Sequence, residues 1–327
     1  MAPRDTLKTI FFMKKLLWLI IPFFLLATYF LVSQLKKQSG VENESSITEK
    51  ETFDTTPAVA PVSLSVSPAK IIQGEPVQIT IEGLTSPSVI KTFTFDSEPL
   101  AVFVDKDKIA GLVGIDFHKK PGSYPLVLTL LDGRTFEEKI EIGPRDVFTA
   151  KFDIPEQLGG NTPQAEHKLT DSLAEDTAII SAVIATTRKE KLWNGPFRLP
   201  LDGTITITDV YGYKRQTGSV NLSHQGTDFR ASEGTPVYAM NSGRVAFAGT
   251  FRNYGHTVII DHGLGLMTAY MHLSETKVPL DKIVEKGDLI ALSGNSGYSL
   301  GPHLHLSVRI DGLTIDPMKF LELMGSK

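Results

Sequence analysis

The hydrophobic pattern changes period along the chain. Residues 16–35, LLWLIIPFFLLATYFLVSQL, form an apolar run without a charge. As a helix it would span about 30 Å, the thickness of a bilayer's hydrocarbon layer. Arg4, Lys8, Lys14 and Lys15 precede it, which predicts a cytoplasmic N-terminus. The run is longer than the apolar core of a signal peptide, and LVSQLKK offers no A-x-A-like cleavage site. Residues 1–35 therefore read as a cytoplasmic N-terminus and transmembrane signal anchor. Residues 36–60 are rich in Ser, Thr and Glu without apolar periodicity and read as a disordered tether.

From 61 to 144 the period is two. SLSVS (63–67), VQITIEG (77–83), LAVFV (100–104), LVLTLL (126–131) and FEEKIEI (136–142) alternate in the manner of half-buried strands. Gln73-Gly74, Pro121-Gly122 and the hairpin signal Asp132-Gly133 separate them. The pattern predicts an immunoglobulin-like β-sandwich without its disulfide. His118, beside Lys119 and Lys120, reads as a solvated loop, and no acid–base cluster accompanies it.

Residues 145–195 read as a helical connector. Thr162-Pro163 is an N-cap followed by proline at the first helical position. Leu169, Leu173, Ile180 and Ile184 recur at helical spacing, widened by Ile179 and Val183. His167 is expected at the surface.

Residues 196–327 return to short β segments, and six of the eight histidines lie there. In GPHLHLSV (301–308) strand alternation places His303, His305 and Ser307 on one face and Leu304, Leu306 and Val308 on the other. By the same alternation Tyr270 and His272 share a face in TAYMHLS, and His224, Gly226 and Asp228 in SHQGTDF. Gly226 would let another group come close. Two adjacent imidazoles on one strand face call for a partner. His224, Asp228 and one histidine of the HLH pair make a His₂Asp set, the donor number of a catalytic zinc site with one position open. The remaining histidines suit proton transfer.

Composition narrows the alternatives. The chain of 327 residues is 41% hydrophobic with a formal charge of −4, which provides no basic field for nucleic acid. Cysteine is absent. That excludes disulfides, thiolate ligands, a cysteine nucleophile and a lipidated N-terminal cysteine.

The stretches FRLPLDGTITITDVYGYKR, HQGTDFRASEGTPVYAMNSGRV, GHTVIIDHGLGLMTAYMHLS, VEKGDLIALSGNSGYSLGPHLHLSV and IDPMKFL, within residues 197–322, resemble the M23 family of zinc metallopeptidases, the LytM or lysostaphin-like peptidases. YGYKR (211–215) stands where an FGxR-like stretch is common. The resemblance implies one Zn²⁺ per chain on His224, Asp228 and His305, with His272 and His303 as the catalytic pair. It implies an antiparallel β domain with a groove, and the peptides of bacterial peptidoglycan as substrate. His256 and His262 are expected in structural or surface roles. Tyr213, Arg215 and Tyr270 are candidates for oxyanion stabilisation, substrate contact or core packing. SGNSGYSLG (293–301) reads as a loop shaping the groove wall, and Asp316-Pro317 as a turn before a short helix.

Together these readings predict a mainly β protein: a transmembrane helix, an immunoglobulin-like sandwich, a helical connector and a C-terminal metallopeptidase domain. Its expected activity is hydrolysis of peptidoglycan cross-links or bridges through a metal-bound hydroxide. Its expected place is the cytoplasmic (inner) membrane, single-pass, with the folded part on the periplasmic or cell-wall side. Expected partners are stem or bridge peptides, the membrane through residues 16–35, and envelope proteins, with no nucleic acid. The rival readings are a non-catalytic wall-binding or regulatory protein and a zinc peptidase acting on proteins.

Overall fold

The computed structural model describes residues 61–151, 154, 159–217 and 220–325. The anchor (1–35) and tether (36–60) lie outside the described residues. Among the described residues no helix is long and apolar enough to cross a membrane.

Residues 61–144 form two β-sheets over one core. The strands Ser63–Ser67, Pro76–Glu82, Lys108–Gly114 and Val102–Asp105 make one sheet in that order. Ile71–Ile72, Thr135–Gly143, Gly122–Leu130, Ile90–Phe95 and Glu98–Pro99 make the other. Alternation in the sequence becomes burial here: Val77, Ile79 and Ile81 of one sheet pack with Leu126, Leu128 and Leu130 of the other. Asp132-Gly133 turns the hairpin between Gly122–Leu130 and Thr135–Gly143, with Gly133 at φ +90°. This layer is tied to the C-terminal part by an Arg145–Asp316 ion pair at 3.0 Å and by Phe103, Ala110 and Leu112, which join the C-terminal core.

The connector departs from an all-helical reading. Thr149–Lys151 is a strand, paired parallel with Lys214–Thr217. The helix Pro163–Ile184 starts where the sequence indicated, with the Thr162 Oγ1 accepting from the Ala165 amide. His167 is exposed. Ile180, with Val183 and Ile184, packs on Phe251, Ile259, Met267, Ala269 and Met271, one face of the C-terminal sheet, whereas Leu169 and Leu173 cluster with Ile154, Leu222 and Tyr298, and Ile179, expected in the stripe, is exposed.

In that sheet, Ile207–Asp209, Thr227–Arg230, His303–Ile310, Leu266–Thr276, Gly255–Gly263, Gly243–Phe251 and Ile283–Val284 follow one another. Leu304, Leu306 and Val308 are fully buried on the core side with Tyr270, Phe229 and Phe320. The short helix Pro317–Met324 closes this core, capped by Asp316. Among the described residues the chain is mainly β with few helices.

Candidate metal centre

Strand pairing assembles the site. Thr227–Arg230 and His303–Ile310 run antiparallel with Asp228 opposite His305, and His305 stands opposite Met271 on the next strand. Directly opposed residues share a face, so Asp228 and His305 lie on the side of the sheet away from the apolar core. His224 is brought to them by the bend before Thr227. Its amide donates to the Tyr213 carbonyl at 2.7 Å and its carbonyl accepts from Gly212 at 2.8 Å.

The Nε2 of His224, the Oδ1 of Asp228 and the Nδ1 of His305 are mutually 3.1, 3.0 and 2.7 Å apart. All three residues are buried. Such separations suit donors around one tetrahedral ion with bonds of about 2.0–2.1 Å. The His224 Nδ1 donates to the Val210 carbonyl at 2.9 Å, which leaves the Nε2 lone pair for the ion, the usual arrangement behind a ligating histidine. Burial opposes ionisation of Asp228, but the adjoining His224 and His305 imidazoles hold its carboxyl well below the usual range. Two imidazole nitrogens and a carboxylate oxygen fit a divalent metal ion with an open position.

His272 and His303 stand beside this group. Their rings are 4.7 Å apart, and the ring of His272 is 5.9 Å from that of His305. The His272 Nδ1 donates to the Ser296 carbonyl and the His303 Nδ1 to the Gly301 carbonyl, each at 2.8 Å. Both therefore carry their lone pair on Nε2, and that of His303 lies 3.8 Å from the Asp228 Oδ1. Burial, and then the neighbouring His303 and His305, push His272 down to about 3.

Tyr270 and His272 do not share a face, contrary to simple alternation. His272 has φ +57°, and this left-handed residue breaks the period of two. Tyr270 stays fully buried in the core, where its hydroxyl accepts from the Met240 amide at 2.9 Å. It is a packing residue, and not a group at the site. The side chain of Arg215 lies outside the described residues. His262 is fully buried between the Ser242 carbonyl and the Thr268 hydroxyl, at 2.8 and 2.9 Å, while His256 is exposed and bonds Thr250.

The site opens into two clefts. One, of about 400 Å³, is bordered by Leu169, Leu173 and Thr177 of the Pro163–Ile184 helix opposite His224, His272 and His305. The other, of about 350 Å³, lies between Asp209, Asp228 and Arg230 and the 298–303 loop. Tyr298 borders both, so the Gly-rich loop does shape the groove wall. Sequence reading missed the helix as a wall. It also missed His118, which reaches the first cleft from the sandwich while remaining exposed.

The model of Peptidase family M23 matches residues 222–317. The peptidoglycan DD-endopeptidase ShyA of Vibrio cholerae is 31% identical over 199 residues, covering 59% of this chain and 46% of the relative. ShyB of the same organism, also named a peptidoglycan DD-endopeptidase, is 36% identical over 196 residues, covering 56% and 45%. A crystal structure of a Pseudomonas aeruginosa protein assigned to peptidase M23 superposes with a TM-score of 0.57 at 25% identity, over 77% of this chain and 95% of that one. The chain spans less than half the length of these two curated relatives. The five residues brought together here all fall inside residues 222–317, the segment that matches the model of peptidase family M23.

Proposed function

We propose that the chain is a zinc-dependent endopeptidase that hydrolyses peptide cross-links or bridges of peptidoglycan. The observation that carries this reading is the convergence of His224, Asp228 and His305 on one point, with the rings of His272 and His303 beside it, each tied through Nδ1 to a backbone carbonyl. The names of ShyA and ShyB as peptidoglycan DD-endopeptidases support the substrate class.

His224, Asp228 and His305 would hold the ion. A zinc ion bound there lowers the pKa of a water to about 7 and polarises a carbonyl. The remaining chemistry belongs to the two other histidines. His272, kept neutral by burial, and His303 each offer an Nε2 that takes a proton from the attacking water or returns one to the leaving amine. The Nδ1–H bonds to Ser296 and Gly301 fix each ring so that only Nε2 can do this. Once protonated, an Nε2–H aimed at the groove stabilises the negative charge that develops on the carbonyl oxygen.

The anchor at 16–35, the tether and the immunoglobulin-like sandwich complete the proposal. The N-terminus lies in the cytoplasm, and residues 61–327 work on the far side of the cytoplasmic membrane, held away from it by the tether. The test is release of peptide fragments from purified cell wall by the full chain in detergent with zinc. His303→Ala should bind the metal as the parent does yet lose turnover about 10²–10⁴-fold. Equal release by parent and variant overturns the mechanism.

A further inference from the structure

The helix Pro163–Ile184 lies outside the M23 segment, yet it grips one turn of that segment through buried polar contacts. Its buried positions are Ala165, Leu169, Ser172, Asp176 and Ile180. Two polar residues thus interrupt an apolar stripe, and both reach Asn253. The Asp176 Oδ2 accepts from the Asn253 amide at 2.9 Å and from its Nδ2 at 2.8 Å. The Asp176 Oδ1 accepts from the Arg252 amide at 3.3 Å. Ser172, one helical turn earlier, hydrogen-bonds the Asn253 side chain at 3.1–3.2 Å. Asp176 is 4% exposed and Asn253 6%. A carboxylate so deeply buried is costly unless its oxygens are hydrogen-bonded, and here three N–H groups converge on it. An apolar residue would seat the helix as Leu169 and Ile180 do. It could not hold the turn.

The same turn leads straight to the groove. The Tyr254 carbonyl accepts from the His272 amide at 2.8 Å, and the Asn253 carbonyl accepts from the Tyr298 amide at 2.6 Å. His272 is the residue with φ +57°, a conformation that a side chain such as histidine adopts only where its surroundings impose it. We propose that Asp176 is a positioning residue: by holding the Arg252–Asn253 turn from behind, it sets the backbone of His272 and of Tyr298, and with them the aim of the His272 Nε2 and the wall between the two clefts. The helix is then a working part of the peptidase. This rests on the reading of His272 as a catalytic histidine.

The test uses the full chain with Asp176→Ala, the milder Asp176→Asn, and the exchange pair Asp176→Asn with Asn253→Asp. Amide hydrogen exchange is read at His272 and Tyr298, together with bound zinc, kcat per bound zinc, and KM. In Asp176→Ala both amides should exchange about tenfold faster. Zinc content should stay equal to the parent's, because no ligand is touched. Misplacement of a catalytic group by about 1 Å lowers the rate about 10²-fold, so kcat per bound zinc should fall by about that factor with a smaller change in KM. Asp176→Asn, which keeps one acceptor, should fall between. The exchange pair restores the side-chain bond with donor and acceptor reversed and should recover part of kcat. Unchanged exchange at His272 overturns the proposal. So does a lower melting temperature with kcat per bound zinc unchanged, the signature of a purely structural residue. If the parent chain releases nothing from cell wall, the functional reading fails, whereas exchange at His272 still decides whether Asp176 holds it.

Discussion

Gly226→Ala isolates the closeness that the site demands. Gly226 is not among the residues with positive φ, so its backbone would tolerate a side chain and only space forbids one. A Cβ there would lie 2.4 Å from the His305 Nε2, 2.7 Å from its Cε1 and 2.4 Å from the Leu306 carbonyl oxygen. Ordinary contacts begin at 3.4 Å, so the shortfall is about 1 Å on two sides. One obstacle is the ring of a proposed ligand, and the other is backbone in a strand paired with Thr227–Arg230. Neither can swing aside as a flexible side-chain end would. Opening the pair by about 1 Å costs about 1–3 kcal/mol as overpacking. It also draws the His305 Nδ1 from its 2.7 Å approach to Asp228. Zinc affinity should then fall about 10–100-fold, the range seen when the support of a ligating side chain is disturbed. Titration against a chromogenic chelator measures this, beside the thermal midpoint of the zinc-free protein. Parent-like affinity together with a parent-like midpoint would refute the steric reasoning.

Two further outcomes follow from buried polar groups. His262 is pushed by burial from the ordinary 6.5 down to about 4. Between those values the unfolded chain binds a proton that the folded chain does not. Stability is therefore complete above about pH 6.5 and falls as the pH drops towards 4, by about 3 kcal/mol. His272 adds to the same slope in the zinc-free protein. Denaturant midpoints from pH 4 to 7 should show a flatter dependence for His262→Gln; an identical slope contradicts the assignment. Asp316 caps the Met318 and Lys319 amides at 3.0 and 3.3 Å and pairs with Arg145 at 3.0 Å, both side chains being largely buried. Asp316→Ala should lower stability by about 2 kcal/mol, read by chemical denaturation. An effect below about 0.5 kcal/mol would show that neither contact matters.

Period-two alternation located much of the sandwich because one face of each strand is buried. Asp132-Gly133 marked its hairpin because the turn needs a left-handed residue, here Gly133. Short or less regular strands such as Ile71–Ile72 and Lys108–Gly114 carry no such alternation. The first is only two residues long, and the second, KIAGLVG, is buried at nearly every position and lacks alternation. The HLH pair was legible for the opposite reason: two titratable rings on one strand face have no place in an apolar layer. His224 and Asp228 were legible as donors, but their meeting with His305 depends on a register between strands some eighty residues apart, which no local pattern contains.

What stayed hidden follows from tertiary constraint. Alternation put His272 with Tyr270, and it fails at a single residue, since the left-handed turn at His272 costs of order 1–3 kcal/mol and no local signal announces it. That cost has to be met by bonds on both sides of the residue. The His272 amide is held by the Tyr254 carbonyl and its ring by the Ser296 carbonyl, while the Ser296 hydroxyl donates to the Leu273 carbonyl at 2.6 Å and accepts from the His256 amide at 2.9 Å. A histidine pointing into the core at this position would join Tyr270 among apolar neighbours; turned outward, it faces His303. The strain and the position of the proposed proton carrier are thus the same fact. Relaxing His272 to a regular strand conformation would stabilise the backbone locally and remove its ring from the groove.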